Sequence, residues 1–306
     1  MMPDQEKYQY LLDISSLRLY GRNFLQEVYI FTGEGANGKS VWMTLLEKAL
    51  GQYFVKFNAD TFTNESRGCN QTSELGRADG CRAGVFEEPD DKKTLIVNRF
   101  KELSGNSSIR TRALYGESFS FVPQFALIGI MNDMPKLSKV EYAMDRRLRV
   151  LSWDCKFVAK PILPHHRQKD DMLGPKIEND TNYALAFITI LINNWINSDL
   201  LTEKLHTPQD VYDKSKEYMD SSNTVKDFLE EYYIQDPDIN AKIKSSDLFN
   251  MYNLKNRDKD ARMTKDAFKS AVVAQGYFWK REMTGRFFCY IKEKPKDFVN
   301  DWYLYP

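Results

Sequence analysis

The sequence predicts an α/β fold with a parallel sheet, followed by a small α+β module. Two observations indicate the first part. Short apolar runs such as Val28–Thr32 alternate with helical segments, and a glycine-rich turn joins that run to the helix after it. This order is typical of parallel sheets with helical crossovers. The α+β module is indicated by the C-terminal third of the chain, where helical patterns are followed by two aromatic runs around Thr284-Gly285.

The glycine-rich turn fits the pattern G-x-x-x-x-G-K-[ST] of a nucleotide-binding phosphate loop. Its glycines let backbone N–H groups surround a β-phosphate, and the helix that follows adds positive potential at its N-terminus. Lys39 can reach the β- and γ-phosphates, and the Ser40 hydroxyl can hold Mg²⁺. A glycine turn that binds nothing is the alternative. The candidate nucleotide-binding residues are Gly33, Glu34, Gly35, Ala36, Asn37, Gly38, Lys39 and Ser40.

Length and composition narrow the class of protein. At 306 residues the chain is long enough for a large and a small domain. Its 43 basic residues balance 43 acidic ones, so any surface for nucleic acid has to be local. Four scattered cysteines without a C-x-x-C pair argue against a zinc site and indicate an intracellular, reducing setting. No signal peptide is evident, and the longest apolar run, residues 184–192, is too short to span a membrane.

Two further apolar runs end in polar side chains suited to catalysis. Residues 82–86 lead into Glu87 and Glu88, and residues 125–131 lead into Asn132. After a strand next to a phosphate loop, the first carboxylate can hold Mg²⁺, and the second can orient and deprotonate an attacking water. We therefore predict Glu87 as a metal ligand, Glu88 as the base, and Asn132 as a contact to the γ-phosphate. Taken alone, the glutamate pair also fits a solvated turn.

A hairpin pattern lies between these two runs. Residues 109–114 and 119–122 alternate in polarity around a turn, which predicts a β-hairpin with Arg110 and Arg112 on one face. Further along, a basic cluster at residues 145–151 runs into another strand pattern.

Together, these motifs resemble those of superfamily 3 helicases, the hexameric AAA+ type of small and large DNA viruses. The likeness is greatest to the helicase half of primase–helicases from poxviruses, other large DNA viruses and phages, and it extends over residues 17–155. The motifs that carry it are residues 33–40, 80–82, 87–88, 101–105, 112–117, 121–123, 132–135 and 146–147.

The resemblance implies an ATP hydrolase that works as a homo-oligomer, a hexameric ring with nucleotide bound between subunits. Catalytic groups of one subunit, Glu88 and Asn132, would meet an arginine finger from the neighbouring subunit, either Arg146 or Arg147. Such a positive group stabilises charge on the transferring phosphoryl group. A solvated charge cluster is the alternative for the two arginines.

The resemblance also implies a loop that lines the central channel and tracks single-stranded DNA. Lys101 and the hairpin with Arg110 and Arg112 would contact the backbone, and Tyr115 at the tip would stack on bases. An ordinary surface hairpin is the alternative. A primase or another replication protein is a further expected partner, and no membrane is expected. If viral, the protein would act in the host-cell cytoplasm or at a replication site.

Two departures from the family pattern bear on strand separation. Family members commonly carry Gly-Gly-Asp after the lysine motif, whereas this chain has Gly105-Asn106-Ser107 and lacks the carboxylate. The helical domain and primase that usually precede the helicase are reduced to a short lead-in. Strand separation is therefore a less direct expectation than ATP hydrolysis.

We expect a helical lead-in at residues 1–27, an AAA+ core with a phosphate loop, parallel sheet and inserted hairpin at residues 28–200, and a winged-helix-like domain at residues 201–306. Helices followed by a two-stranded ribbon indicate the last of these. Its basic side chains could contact phosphates, but interleaved acidic residues leave protein docking open. The cations concerned are Lys255, Arg257, Lys259, Arg262, Lys265, Lys280, Arg281 and Arg286.

The function that these patterns favour is an ATP-dependent DNA helicase or translocase of viral or phage-type replication. An AAA+ oligomer that remodels or loads protein partners is the alternative. A small-molecule kinase with a phosphate loop is a third interpretation, but it explains neither the paired glutamates nor the hairpin.

Overall fold

The computed structural model describes residues 2–63, 74–89, 93–112, 116–138, 140, 142–201, 205–256 and 263–295. The chain divides into two compact units. Unit 1 comprises Met1–Lys136 and Tyr142–Tyr218, and unit 2 comprises Leu137–Glu141 and Met219–Pro306. The division between the units in the C-terminal third falls after Tyr218. Residues 1–27 belong to unit 1, because their helix packs into its core.

Unit 1 contains most of the helices and strands. Its helices are α1 (Gln5–Ser16), α2 (Lys39–Leu50), α3 (Asp60–Thr63), α4 (Val97–Ser104), α5 (Tyr142–Asp145), α6 (Leu173–Asn179), α7 (Thr181–Asn197) and α8 (Gln209–Ser221). Its strands are β1 (Val28–Thr32), β2 (Phe54–Phe57), β3 (Ala83–Glu87), β4 (Ile109–Arg112), β5 (Ser118–Phe121), β6 (Ala126–Met131), β7 (Leu148–Ser152), β8 (Lys156–Val158) and β9 (His166–Gln168).

Five of these strands form a parallel sheet in the order β2-β3-β6-β1-β7. β1 lies between β6 and β7, with Val28 level with Leu127 and Leu148. Because all five strands run the same way, their carboxyl ends meet at one edge, where α/β folds bind ligands. The parallel sheet confirms the predicted fold class in outline. β2 was not predicted, because its burial alternates as in a half-exposed edge strand.

Helices α1, α2 and α7 pack on one face of the sheet. Trp42 of α2 meets the ring of Phe187 of α7 edge to face, with centroids 4.9 Å apart. Such a pair contributes about 0.5–1.5 kcal/mol beyond its area burial. Tyr10 and Leu11 of α1 are fully buried in the same cluster. The lead-in is therefore an integral part of the core.

Helix α7 is apolar on more than one face. Phe187 and Leu191 are buried, whereas Leu185 and Ile196 are 59% and 70% exposed. This helix therefore packs against the core with one face only. Periodicity could not select that face, because apolar residues occur all around the helix. In the described ranges, no helix combines the length and apolar character needed to cross a bilayer.

Aromatic rings cover the opposite face of the sheet. Phe62 of α3 stacks on Phe86 of β3 with centroids 4.1 Å apart, and Phe100 of α4 stacks on Phe62 at 5.6 Å. Gly84 of β3 lies on the same face. A Cβ atom there would lie only 2.6 Å from Cε2 of Phe57. Because Gly84 has no side chain, the ring of Phe57 can lie this close to β3.

An ion cluster around the buried Lys7, with two half-exposed carboxylates, joins three segments of unit 1. Nζ of Lys7, in α1, donates to Asp154 after β7 and to Oδ2 of Asp210 in α8, the latter at 3.0 Å. Burial by itself lowers the pKa of Lys7, but the two hydrogen bonds outweigh it and raise that pKa above its ordinary value. At Asp154 burial by itself raises the pKa, but the hydrogen bond and charge of Lys7, together with the bond from Ser152, outweigh burial and lower that pKa. No local pattern predicted this cluster, because its members are far apart in sequence.

Two short strand pairs complete unit 1. β4 and β5 pair antiparallel, with Ile109 opposite Phe121. Residues 113–115, between them, lie outside the described residues. β8 and β9, which follow β7, form a short parallel pair.

Unit 2 is a small α+β body with its own core. Its elements are α9 (Thr224–Tyr232), β10 (Tyr233–Gln235), β11 (Lys242–Lys244), α10 (Ser245–Lys255), α11 (Lys265–Ala274), β12 (Phe278–Glu282), β13 (Gly285–Cys289) and β14 (Ile291–Glu293). The strands form an antiparallel sheet β11-β13-β12 and a separate pair β10-β14. Phe228, Tyr252, Phe268 and Phe288 form the centre of the core.

The helix starts of unit 2 agree with the sequence. Oδ1 of Asn223 accepts from the N–H of Lys226, and Oγ1 of Thr264 accepts from the N–H of Ala267. Both are N-cap bonds, which typically stabilise a helix by about 1 kcal/mol. Asn and Thr are residue types that favour N-caps, so the starts of α9 and α11 follow from the local sequence.

Gly84→Val should destabilise unit 1 by about 2 kcal/mol, because overpacking costs of this size arise where neighbours cannot move. The new side chain would press on Phe57 and on Phe125, whose Cδ2 lies 3.0 Å from a Cβ at residue 84. Urea unfolding measures the effect. Gly174→Ala is the matched control, since a Cβ there meets open space. It should be neutral or stabilising by about 0.5 kcal/mol.

Lys7→Met should lower the thermal midpoint near neutral pH and flatten its fall in acid. The folded-state pKa of Asp154 lies below its unfolded value. The stability that this carboxylate contributes is therefore present above the unfolded value, about 3.9, and is lost as pH falls through the folded value. Thermal unfolding from about pH 7 to about pH 3 measures both effects. Lys216→Met, at an exposed site on α8, is the control. Equal acid dependence in both variants would contradict the assignment.

Candidate functional site

The predicted phosphate loop lies at the carboxyl edge of the sheet, between β1 and α2. Gly33 has φ 140° and Gly38 has φ 97°, so both occupy backbone conformations that favour glycine. A Cβ on Gly33 would lie 2.6 Å from the carbonyl oxygen of Trp153, after β7. The loop therefore turns directly against the neighbouring chain segment.

The loop is tied to the segment that follows β7. The N–H of Phe157 donates to the carbonyl of Ala36 at 2.7 Å, and Nδ2 of Asn37 donates to that of Trp153 at 3.4 Å. Ala36 holds a positive φ of 61°, which is unusual for a residue with a side chain. These bonds fix the loop from its outer side. Glu34 and Gly35 stay exposed at its tip.

Lys39 lies inside the loop and is 4% exposed. Its Nζ donates to the carbonyl of Gly33 and, at 3.3 Å, to Oδ1 of Asn132 after β6. Burial lowers the pKa of Lys39, and the charge of Glu88 opposes that shift. A buried ammonium held by two neutral acceptors is poised to exchange them for an anion.

The two glutamates after β3 face different partners. Glu88 accepts from the backbone N–H of Asn132 at 3.1 Å and of Asp133 at 2.9 Å, which places its carboxylate at the end of β6. Glu87 instead pairs with Lys56 of β2 at 2.6 Å, and both side chains are more than half exposed. Glu88 is therefore the carboxylate that shares the surroundings of Lys39. The sequence suggested a strand-end pair, but it could not tell which glutamate faces the loop.

These residues fit a triphosphate with Mg²⁺. Gly38 provides no side-chain cap for α2, and Oδ1 of Asn37 accepts from the N–H of Lys39 at 3.4 Å. The next N–H groups of the first turn can therefore meet an anion. Ser40 is exposed in the same turn. Mg²⁺ usually takes one or two carboxylates together with phosphate oxygens. To bind the ion, Glu87 would have to leave Lys56, or Glu88 its two backbone N–H partners.

Arg146 and Arg147 lie at the opposite end of the sheet. They directly precede β7, and the N–H of Val28 at the start of β1 donates to the carbonyl of Arg147 at 2.8 Å. Since the phosphate loop follows the other end of β1, neither arginine lies near the loop of its own chain. Any contact with nucleotide would have to be made with a neighbouring subunit.

The side chains of Arg146 and Arg147 differ in solvent exposure. Arg146 is exposed, and both its Nη atoms donate to Oε1 of Gln26 at 3.0 Å. Arg147 is 8% exposed and donates to the carbonyl of Ala143 at 2.8 Å. Arg146 is thus the member of the predicted pair that a second molecule can reach. Gln26, which accepts these hydrogen bonds and has a φ of 56°, was not predicted by any sequence pattern.

The predicted DNA-contacting residues lie on β4 and α4. Arg110 and Arg112 are exposed on one face of β4, with Nε of Arg112 donating to the carbonyl of Gly116 at 2.9 Å. Lys101 lies on α4 and is half-buried. Tyr115 lies outside the described residues. The predicted alternation is therefore present, with two guanidinium groups directed to solvent.

One family model matches the central part of unit 1. A model described as a family of unknown function, DUF5906, matches residues 31–147. That range includes the phosphate loop, Glu88, Asn132 and both arginines.

Three viral relatives extend the match. A "Putative helicase" of Acanthamoeba polyphaga mimivirus is 28% identical over 81% of this chain and 27% of its own length. A "Putative helicase" of Frog virus 3 is 28% identical over 78% of this chain and 25% of its own. A "Putative primase" of African swine fever virus is 24% identical over 73% and 24%. The chain thus spans roughly a quarter of the length of these relatives.

Solved structures support the fold. One structure of the NrS-1 C-terminal region has a TM-score of 0.53 at 16% identity and covers 75% of this chain and 54% of that one. Another has a TM-score of 0.54 at 14% identity and covers 95% and 76%. The chain is therefore a homologue of large-DNA-virus proteins named as helicases and primases, as its motifs suggested, and its fold resembles that of the NrS-1 C-terminal region.

Proposed function

We propose that the protein is an ATP-dependent DNA translocase, the motor of a helicase in viral-type DNA replication. One observation carries the proposal: Lys39, Glu88 and Asn132, from three separate segments, converge beside the N-terminus of α2. This set offers a phosphate contact, a base and a polar amide at one edge of the sheet. The names of the viral relatives supply the link to DNA.

Nucleotide binding uses groups that are already in position. The first N–H groups of α2 and the backbone of the loop surround the β-phosphate. Nζ of Lys39 leaves the carbonyl of Gly33 and turns to the β- and γ-phosphates. Bound Mg·ATP supplies the phosphoryl group and the cation that offsets its charge, with Ser40 and a strand-end carboxylate, Glu87 in the simplest assignment, as protein ligands.

Hydrolysis then depends on Glu88 and Asn132. The carboxylate of Glu88 orients a water and accepts its proton, while the amide of Asn132 fixes the position of the γ-phosphate. In the present arrangement, Glu88 is occupied by two backbone N–H groups. Those bonds hold the carboxylate at the correct strand end and lower the cost of ordering it during the reaction.

Ring assembly would complete the site. Arg146 is exposed at the end of the sheet away from its own phosphate loop, so in a closed ring it can face the loop of the next subunit. Its guanidinium would stabilise charge on the transferring phosphoryl group, as arginine fingers do. We take Arg147, which is buried, as a support for that segment. A hexamer is the ring size that the family resemblance favours.

Single-stranded DNA would be held by the β4–β5 pair. Arg110 and Arg112 share one exposed face, and Lys101 on α4 adds a further cation. Such a surface contacts the sugar-phosphate backbone without sequence preference. Unit 2, whose described residues include three helices and an antiparallel sheet, serves as a winged-helix-like accessory module.

Lys39→Ala should abolish nucleotide binding, whereas Glu88→Gln should retain binding and reduce turnover by about a hundredfold or more. The first removes the charge that meets the phosphates, and the second removes only the proton acceptor. Fluorescent-nucleotide titration and phosphate release, with and without a dT oligonucleotide, measure both. Lys216→Ala on α8 is the control. The proposal fails if wild-type turnover does not respond to single-stranded DNA and no ring forms; a response to a protein partner instead would indicate a remodelling ATPase.

Arg112→Ala should weaken single-strand binding and make its salt dependence shallower by about 0.7 in log–log slope per lost phosphate contact. Basal ATP turnover should not change, because the residue lies outside the nucleotide site. Anisotropy titrations over a salt series measure the slope. Arg167→Ala is a matched control, since Arg167 is equally exposed and also donates to backbone carbonyls. Loss of basal turnover in Arg112→Ala would reject the channel assignment.

A further inference from the structure

Unit 2 contains a basic cleft that the proposed motor does not use. The cleft has a volume of about 590 Å³ and lies between the starts of α10 and α11 and the β12–β13 ribbon. Four cations line it: Lys244, Lys265, Lys269 and Arg286. Among the described lining residues, Asp266 contributes the sole carboxylate.

The cations of the cleft are not neutralised by neighbouring side chains. Other cations of unit 2 have partners: Lys242 pairs with Glu282 at 2.6 Å, and Lys226 pairs with Asp220 at 3.2 Å. Within the described part of the chain, no ion pair involves a cation of the cleft. Four like charges around one cavity repel one another, and an anion between them would relieve that repulsion.

A second like-charge contact lies on the ribbon beside the cleft. Arg281 of β12 is directly opposite Arg286 of β13 in the antiparallel register. Like charges directly opposite each other destabilise a sheet. Neither guanidinium forms an ion pair in the described residues. The ribbon therefore keeps an unfavourable pair that a polyanion would stabilise.

Backbone donors add to the cleft. α10 begins at Ser245 after Lys244, and no side chain caps its first N–H groups. Ser245 and Ser246 line the cavity at this point. Open N–H groups and the helix dipole favour a negatively charged ligand. Side-chain charge and backbone thus favour the same kind of ligand.

The cleft is built for phosphate and not for bases. Phe249 and Trp279 are the aromatic residues among the described lining. Phe249 is half-buried and packs against the core of unit 2, and Nζ of Lys269 lies 3.4 Å from the ring centroid of Trp279. That face of the indole ring is therefore covered and cannot stack on a base. A ligand with several spaced negative charges, which does not need to stack on an aromatic ring, would fit this lining.

We propose that this cleft binds the phosphodiester backbone of single-stranded nucleic acid, independently of sequence, as a second contact besides the β4–β5 pair. The cations hold successive phosphates, the α10 N-terminus accepts one of them, and the ribbon arginines contact the strand alongside. The inference goes beyond the proposed ATPase site, because binding in the cleft needs no nucleotide.

The test is binding of a dT oligonucleotide of about thirty nucleotides to the full chain without ATP. The double variant Lys265→Gln, Arg286→Gln should bind at least about threefold more weakly at low salt. Its log–log salt slope should be shallower by about 1.4, since each phosphate contact on a single strand contributes about 0.7. The double variant Lys216→Gln, Lys292→Gln removes the same charge at exposed sites outside the cleft and should match wild type.

A charge-conserving variant, a competing polyanion and an ATP-binding measurement distinguish the possible reasons for a negative result. Lys265→Arg, Arg286→Lys keeps the charge and should retain binding, which guards against a loss caused by misfolding. An unchanged slope in the neutral cleft variant, or an equal loss in the control variant, would overturn the proposal. Polyglutamate that displaces the oligonucleotide as well as unlabelled dT would reassign the cleft to an acidic protein segment. ATP binding of the cleft variant should stay at the wild-type level, so the outcome is independent of the Lys39 and Glu88 results.

Discussion

The close contact between Gly33 and the carbonyl oxygen of Trp153 is the constraint on which the site depends. A Cβ atom at residue 33 would lie 2.6 Å from that oxygen, so the loop can turn there only because the side chain is absent. The turn brings the Gly33 carbonyl to Lys39 and the Asn37 amide to Trp153. β7 thereby sets the position of a loop that begins on its neighbour β1.

The chemical character of the site depends on the buried ammonium group of Lys39. Removal from water lowers the pKa of Lys39, and Glu88 works against that shift while held by two backbone N–H groups. Charge and counter-charge lie at the ends of different strands, and the parallel sheet holds them at one edge. Under the proposed function, such pre-positioned charges would need little reorganisation to meet a triphosphate.

The lead-in helix shows how distant segments support the same edge. Lys7 of α1 pairs with Asp154, which directly follows Trp153, and with Asp210 on α8. The segment that holds the phosphate loop in place is thus itself held by charges from both ends of unit 1. Contacts at such sequence separation stabilise a loop without leaving any local pattern.

The sequence by itself determined the parallel α/β class, the strand–loop–helix around Lys39, and the end of β6 at Asn132, because these depend on local periodicity and on glycine geometry. The helix caps at Asn223 and Thr264 were likewise local. Tertiary structure alone decided that Glu88 faces Lys39 while Glu87 pairs with Lys56, and that Arg146 is exposed while Arg147 is buried. A sequence pattern cannot distinguish between two adjacent residues of the same type. Their difference arises only when strand pleat and neighbouring chain segments direct one side chain inward and the other to solvent.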